Sequence, residues 1–204
     1  MGATQLFLLR HAEVESKYQR VFGGRIDMDL SARGHEQAAS LARYVARHDF
    51  ASVYTSPMKR VQQTLAPLAP ALRQPPIICP ELREVDFGDW TGLGWDDVFS
   101  KYRISAFQWL EQIECAGIPN GESRSTFAAR VEPRLREIVA AHHGQPIAVV
   151  CHGGVIRMIL SLLLDLPLSK MASFDIEYAS VSRIDVDTER VEVQFLNHVP
   201  WQHE

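Results

Sequence analysis

Cysteine is scarce in this chain, long apolar runs are missing, and neither sign of charge dominates. The three cysteines among 204 residues, Cys79, Cys115 and Cys151, are an odd number at wide spacings. They make neither a disulfide framework nor a zinc motif, and a reducing, cytoplasmic setting is the expected home. Leu6–Leu9 is too short for a targeting core and no basic segment precedes it. No run approaches the length of a transmembrane helix. A net charge of −4 offers no long-range attraction for nucleic acid or an anionic membrane, so an anionic ligand would need a locally positive pocket. Internal repeats, low-complexity tracts and linkers are absent. A hydrophobic content of 46% with 23% charged residues is ordinary for a globular chain, and the length suits one domain over residues 1–204.

The feature that organises the chain is Leu6-Phe7-Leu8-Leu9-Arg10-His11. Four apolar residues without polar alternation suit a strand buried on both faces, as in a parallel sheet. Ile147-Ala148-Val149-Val150-Cys151-His152-Gly153-Gly154 repeats the design and runs into an apolar helix, Val155–Leu164. Open parallel sheets bind ligands beyond the carboxyl ends of their strands. Two such strands can therefore bring two imidazoles to one sheet edge, with Arg10 beside the first.

Between them, Ser31 is an expected N-cap for an amphipathic helix reaching about His48. Ser52–Thr55 and Ile77-Ile78 read as strands. Met58–Leu72 reads as a helix kinked or split by Pro67 and Pro70. Glu81–Gly94 reads as a functional loop and Trp95–Ile113 as one amphipathic helix. A second helix runs through Phe127 and Ile138 with a kink at Pro133. Ser173–Asp187 and Val191–Leu196 read as strands. Strand alternating with helix predicts a three-layer α/β/α sandwich around a mostly parallel sheet. The segment of about 85–121 interrupts that rhythm as a helical insertion, expected to lie over the histidine edge as a lid. Trp90, Trp95 and Trp109 read as packing residues. The other histidines read as structural or surface residues, and adjacent His142-His143 is not a metal motif.

Five separated motifs carry a likeness. They are Arg10-His11-Ala12-Glu13, Arg60 in Ser56-Pro57-Met58-Lys59-Arg60, Glu84 in Leu82–Trp90, Gly121-Glu122-Ser123, and His152-Gly153-Gly154. In that order, together with Gly24, Asp27, Leu30-Ser31 and Gly34, the chain resembles the histidine phosphatase superfamily. The likeness is to its phosphoglycerate-mutase-like branch, including α-ribazole and broad-specificity phosphatases. The resemblance implies that His11 is the nucleophile, that Arg10, Arg60 and His152 hold the phosphoryl oxygens, and that Glu84 passes the proton. It also sets Lys17, Gly24, Arg25, Ser123 and Gly153 near the substrate. It implies a small phosphorylated substrate and no metal or cofactor, and it leaves a homodimer open.

The residue types suit that chemistry. Phosphoryl transfer needs positioning and stabilisation of spread charge. Arginine supplies a planar, permanently charged fork of donors. A neutral histidine can take the phosphoryl group and give it up to water, dividing one hard displacement into two. Glycines at 153 and 154 are expected to let backbone amides of a helix N-terminus approach the phosphate. Ala12 stands where glycine is usual and could crowd the phosphate loop. Lys17 stands where the mutases usually carry asparagine, and Thr91 replaces a frequent glutamate. Because only Val85–Asn120 separates two motifs that lie further apart in mutases, a phosphomonoesterase is the first expectation. A mutase-type phosphotransferase and a catalytically silent binding protein are the alternatives.

Overall fold

Residues 2–202 are described by a computed structural model. A six-stranded sheet forms its centre, in the spatial order β3 (Ile77–Ile78), β2 (Ser52–Thr55), β4 (Pro146–Cys151), β1 (Thr4–Arg10), β5 (Val181–Val186) and β6 (Val191–His198). The first four run parallel, and β5 and β6 are antiparallel to their neighbours. The side chains of β1 show why it needs no polar alternation. Leu6 and Leu8 enter one apolar core, while Phe7 and Leu9 enter the other on the opposite face. Alternate residues point to opposite faces, and both faces are covered.

Helices α1 (Ala32–Val45) and α2 (Lys59–Leu65) cover the Phe7 side. Helices α5 (Arg124–Ala141) and α6 (Gly153–Leu164) cover the Leu6 side. Ser31 caps α1 by accepting a hydrogen bond from Gly34 N at 2.9 Å. Helix α2 stops at Leu65, two residues before Pro67, and a short 3-10 turn follows over Ala69–Ala71. Helix α5 continues through Pro133. None of the helices in the described residues is long and apolar enough to cross a membrane.

Two expected elements are built differently. The stretch expected as one helix over Trp95–Ile113 is two: α3 (Trp95–Tyr102) and α4 (Trp109–Glu114). Arg103 ends α3 in the left-handed conformation, with φ of 58°, so the chain turns although the apolar spacing carries on. The strand expected over Ser173–Asp187 begins only at Val181. Residues 174–180 form a loop whose alternating apolar residues, Phe174, Ile176 and Tyr178, mimic a strand. That loop is tied to the end of β1 by Arg10 N to Ser180 O at 3.1 Å and Ala179 N to His11 O at 3.1 Å.

Candidate active site

The parallel register of β1 and β4 pairs Arg10 with Cys151, so His11 and His152 leave the sheet side by side. His11 N donates to Cys151 O at 3.0 Å, and the two imidazole centroids lie 5.3 Å apart in an edge arrangement. Arg60 comes from the first turn of α2, after β2. His11 and Arg60 meet in a cavity of about 390 Å³, which Arg10, Glu84 and Gly153 also line, while His152 is fully buried beside His11 and is not among the lining residues.

His11 has a defined tautomer. Its Nδ1 lies 2.9 Å from Ala12 O, which only a protonated Nδ1 can satisfy. Its Nε2 then carries the lone pair, which accepts from Arg60 Nε at 3.2 Å. Burial, followed by the charges of Arg60 and Arg10, holds this imidazole well below the usual histidine range. His11 is thus neutral, with the lone pair of Nε2 turned toward Arg60. The methyl group of Ala12 packs into the core beneath α1 and away from the cavity, so it does not crowd the site.

Arg60 is buried and fastens the loop beside it. Its Nη1 donates to Ile26 O at 2.8 Å and its Nη2 to Gly24 O at 3.0 Å. Gly24 turns this loop with φ of 46°, a conformation that glycine adopts cheaply. Thr64 supports both partners, accepting from Ala12 N at 2.9 Å and donating to Arg60 O at 2.7 Å. Arg10 donates through Nη1 to Ile176 O at 2.5 Å, and its guanidinium carbon sits 4.0 Å from the centre of the Tyr178 ring. Tyr178 also faces His11, with ring centroids 5.6 Å apart. His152 is fixed by Ser56 Oγ at 2.9 Å from its Nε2, while its buried Nδ1 has no partner among the described residues. Burial, then Arg60, His11, Arg10 and Arg130, hold it well below the usual range too.

The carboxylate of Glu84 rests on the N-terminus of α6. It accepts from Gly154 N at 3.2 Å and from its own neighbour Val85 N at 3.0 Å. Gly154 therefore serves the carboxylate, and its amide is not free for a phosphate. A Cβ on Gly154 would come within 2.4 Å of Glu84 Oε1, so only glycine leaves the room. The backbone of Glu84 is held from behind by Arg130 on α5. Arg130 donates to Arg83 O at 2.8 Å and Glu84 O at 3.2 Å, and its fork pairs with Glu122 at 2.6 and 2.9 Å. Glu122 in turn accepts from Asp86 N at 2.9 Å. Arg130 was not legible in the sequence, since nothing marks it among the other arginines of its helix.

Three residues expected near the substrate do not line the cavity. Arg25 pairs with Asp86 at 3.4 Å and Glu122 at 3.3 Å. Lys17 is exposed and pairs with Glu15 at 2.8 Å. Ser123 caps α5, accepting from Thr126 N at 3.2 Å. Carboxylates or backbone within reach engage all three. Of the tryptophans, Trp90 is fully buried, as expected of a packing residue, but Trp95 and Trp109 line the cavity. They come from the 85–121 segment, which also contributes Phe87 and Phe107. Among the described residues no three His, Cys, Asp or Glu side chains cluster as metal ligands.

Residues 6–199 match the family model of the histidine phosphatase superfamily (branch 1). The chain belongs to that family. Phosphoserine phosphatase 1 of Hydrogenobacter thermophilus is 34% identical over 193 residues, covering 95% of this chain and 92% of its own. Adenosylcobalamin/alpha-ribazole phosphatase of Escherichia coli is 31% identical over 194 residues, covering 95% of each. The native structure of mycobacterial glucosyl-3-phosphoglycerate phosphatase superposes with a TM-score of 0.83 at 26% identity, over 96% of this chain and 99% of the other. The α/β fold with a central, mostly parallel sheet flanked by helices matches the expected architecture.

Proposed function

We propose that this chain is a phosphomonoesterase that hydrolyses a small phosphorylated metabolite by way of a phosphohistidine at His11. The observation that carries the reading is the neutral His11, its Nδ1 held by Ala12 O and its Nε2 set against Arg60 on the floor of the cavity. Named phosphatases among its relatives support hydrolysis over transfer to a second hydroxyl.

The residues divide the work. Arg10 and Arg60 bring permanent positive charge to the phosphoryl oxygens. A phosphoryl oxygen takes over the Nε–H of Arg60, which frees the lone pair on His11 Nε2. Nε2 then attacks phosphorus as the ester P–O bond breaks, and Glu84 gives the leaving oxygen its proton. Water next attacks the phosphohistidine, Glu84 takes up a proton, and the P–N bond breaks to release inorganic phosphate. Three free cysteines suit a cytoplasmic setting.

Purified protein offered a panel of phosphorylated metabolites is expected to release phosphate from a subset. His11→Ala, folded by its melting curve, is expected to release none. Near-normal release by that variant would overturn the reading.

A further inference from the structure

Arg157 lines the cavity but takes no part in the phosphoryl transfer. It sits one turn into α6, and its side chain folds back to the start of that helix. Its Nη1 donates to Gly153 O at 3.2 Å and its Nη2 to Phe174 O at 3.0 Å. Its Nε is buried without a partner among the described residues, as is that of Arg10. The two guanidinium groups border the same space. A Cβ on Gly153 would lie 3.2 Å from Arg157 Nη1 and 3.4 Å from Arg10 Nε. Among the described residues no carboxylate lies within 4 Å of Arg157. Glu84, Asp175 and Glu177 line the same cavity and offset this charge in part, but the carboxylate of Glu84 is engaged by the amides of Gly154 and Val85, and Asp175 and Glu177 are exposed, where water screens them.

This arrangement is costly. Burial, then the neighbouring charge of Arg10, pushes Arg157 down to about 10. It remains charged near neutral pH, unpaired, beside a like charge. Strapping α6 to the 172–178 loop does not require this, because two backbone carbonyls can be held by neutral donors. An unpaired, half-buried charge in a cavity is stabilised once an anion of the ligand reaches it. In the transfer proposed above, the phosphoryl group already has Arg10 and Arg60.

Building on the phosphatase reading, we propose that Arg157 binds a carboxylate on the alcohol part of the substrate, so that the preferred esters are phosphorylated hydroxy acids or hydroxy amino acids. The carboxylate would lie beyond the phosphoryl group, over Gly153, with the aromatic wall of Trp95 and Trp109 across the cavity.

The test compares O-phosphoserine with O-phosphoethanolamine, which differ by one carboxylate. A charge-assisted contact predicts kcat/KM at least ~10-fold higher for the acid, expressed in KM. Arg157→Met is expected to collapse that ratio toward unity, and Arg157→Lys to keep part of it. As a check that needs no variant, 2-amino-4-phosphonobutyrate should inhibit the wild type at least ~10-fold better than 3-aminopropylphosphonate. If the wild type hydrolyses 4-nitrophenyl phosphate yet does not discriminate either pair, the proposal is overturned and the phosphatase reading stands. An undiminished ratio in Arg157→Met overturns it as well. A wild type inactive on every ester, nitrophenyl phosphate included, brings down both.

Discussion

At the floor of the cavity, the histidines and arginines leave a sheet strand or the first turn of the helix behind it, and Glu84 comes from a loop laid on the start of α6. Arg10 and His11 end β1, His152 follows β4, and Arg60 opens α2. At the mouth, the lining comes from short helices and a loop outside the sheet: Trp95 and Trp109 open α3 and α4, Phe107 lies in the turn between them, and residues 175–178 form part of the loop before β5. The floor is buried and its groups are cross-braced by Thr64, Ser56 and the carbonyls of Gly24 and Ile26. The mouth is aromatic and partly exposed, with Phe107 76% exposed. Rigid elements hold reacting groups to the tolerance that chemistry needs, while loops vary without disturbing them. On the function proposed above, the reaction belongs to the floor, and contact with the rest of the ester is left to the mouth and to Arg157 at the start of α6.

That division can be broken by substitution. The largest effect is expected at Arg60. Arg60→Met removes a charge from the nucleophile and a brace from the Gly24 loop, and kcat should fall ~10³-fold on every ester alike. A loss confined to some substrates would move Arg60 from the floor's role to the mouth's. Glu84→Gln comes next, slowing alkyl esters by ~10²-fold or more and nitrophenyl phosphate much less, because a nitrophenolate leaves without a proton. Gly154→Ala should reproduce that pattern more weakly, since its methyl displaces the Glu84 carboxylate. Equal losses on both ester types would remove Glu84 from proton transfer.

Tyr178 stands where the two regions join. Tyr178→Ala removes the ring beneath Arg10 and is expected to raise KM for all esters by ~10-fold, with Tyr178→Phe close to wild type. A defect shared by both variants would mean that the hydroxyl, and not the ring, is the working part.

The smallest effect concerns stability. His11 and His152 are held neutral in the fold, whereas an unfolded histidine protonates near ~6.5. Below that pH the unfolded chain binds more protons, so stability is complete above it and declines as pH falls toward the lowered native values. Melting temperatures measured between pH 7 and pH 5 should therefore fall less steeply in His152→Asn than in the wild type. Parallel slopes would show that His152 is not held neutral.

Floor and mouth also differ in how far the sequence reveals them. The floor was legible because a buried parallel strand announces itself by an unbroken apolar run, and the residues just past its end must lie at the ligand edge. Four apolar residues located Arg10 and His11, and five located His152. The mouth was obscure because its contributors mimic regular patterns. Arg103 breaks a helix in mid-pattern with a left-handed residue that is not glycine. Phe174, Ile176 and Tyr178 alternate like a strand while forming the loop that carries Arg10's stacking partner. The local partners of Arg25 and Ser123 were not legible either, because Asp86 and Glu122 reach Arg25 only after the chain has folded and Ser123 is engaged as the cap of α5.

The central claim is that phosphoryl transfer passes through His11. Rapid quenching of the enzyme during turnover of a ³²P-labelled ester tests it most directly. Transfer through His11 predicts a label on that residue that is stable in alkali and lost in acid, and that is absent from His11→Asn. Turnover with the label on another residue, or undiminished turnover in His11→Asn, would contradict it.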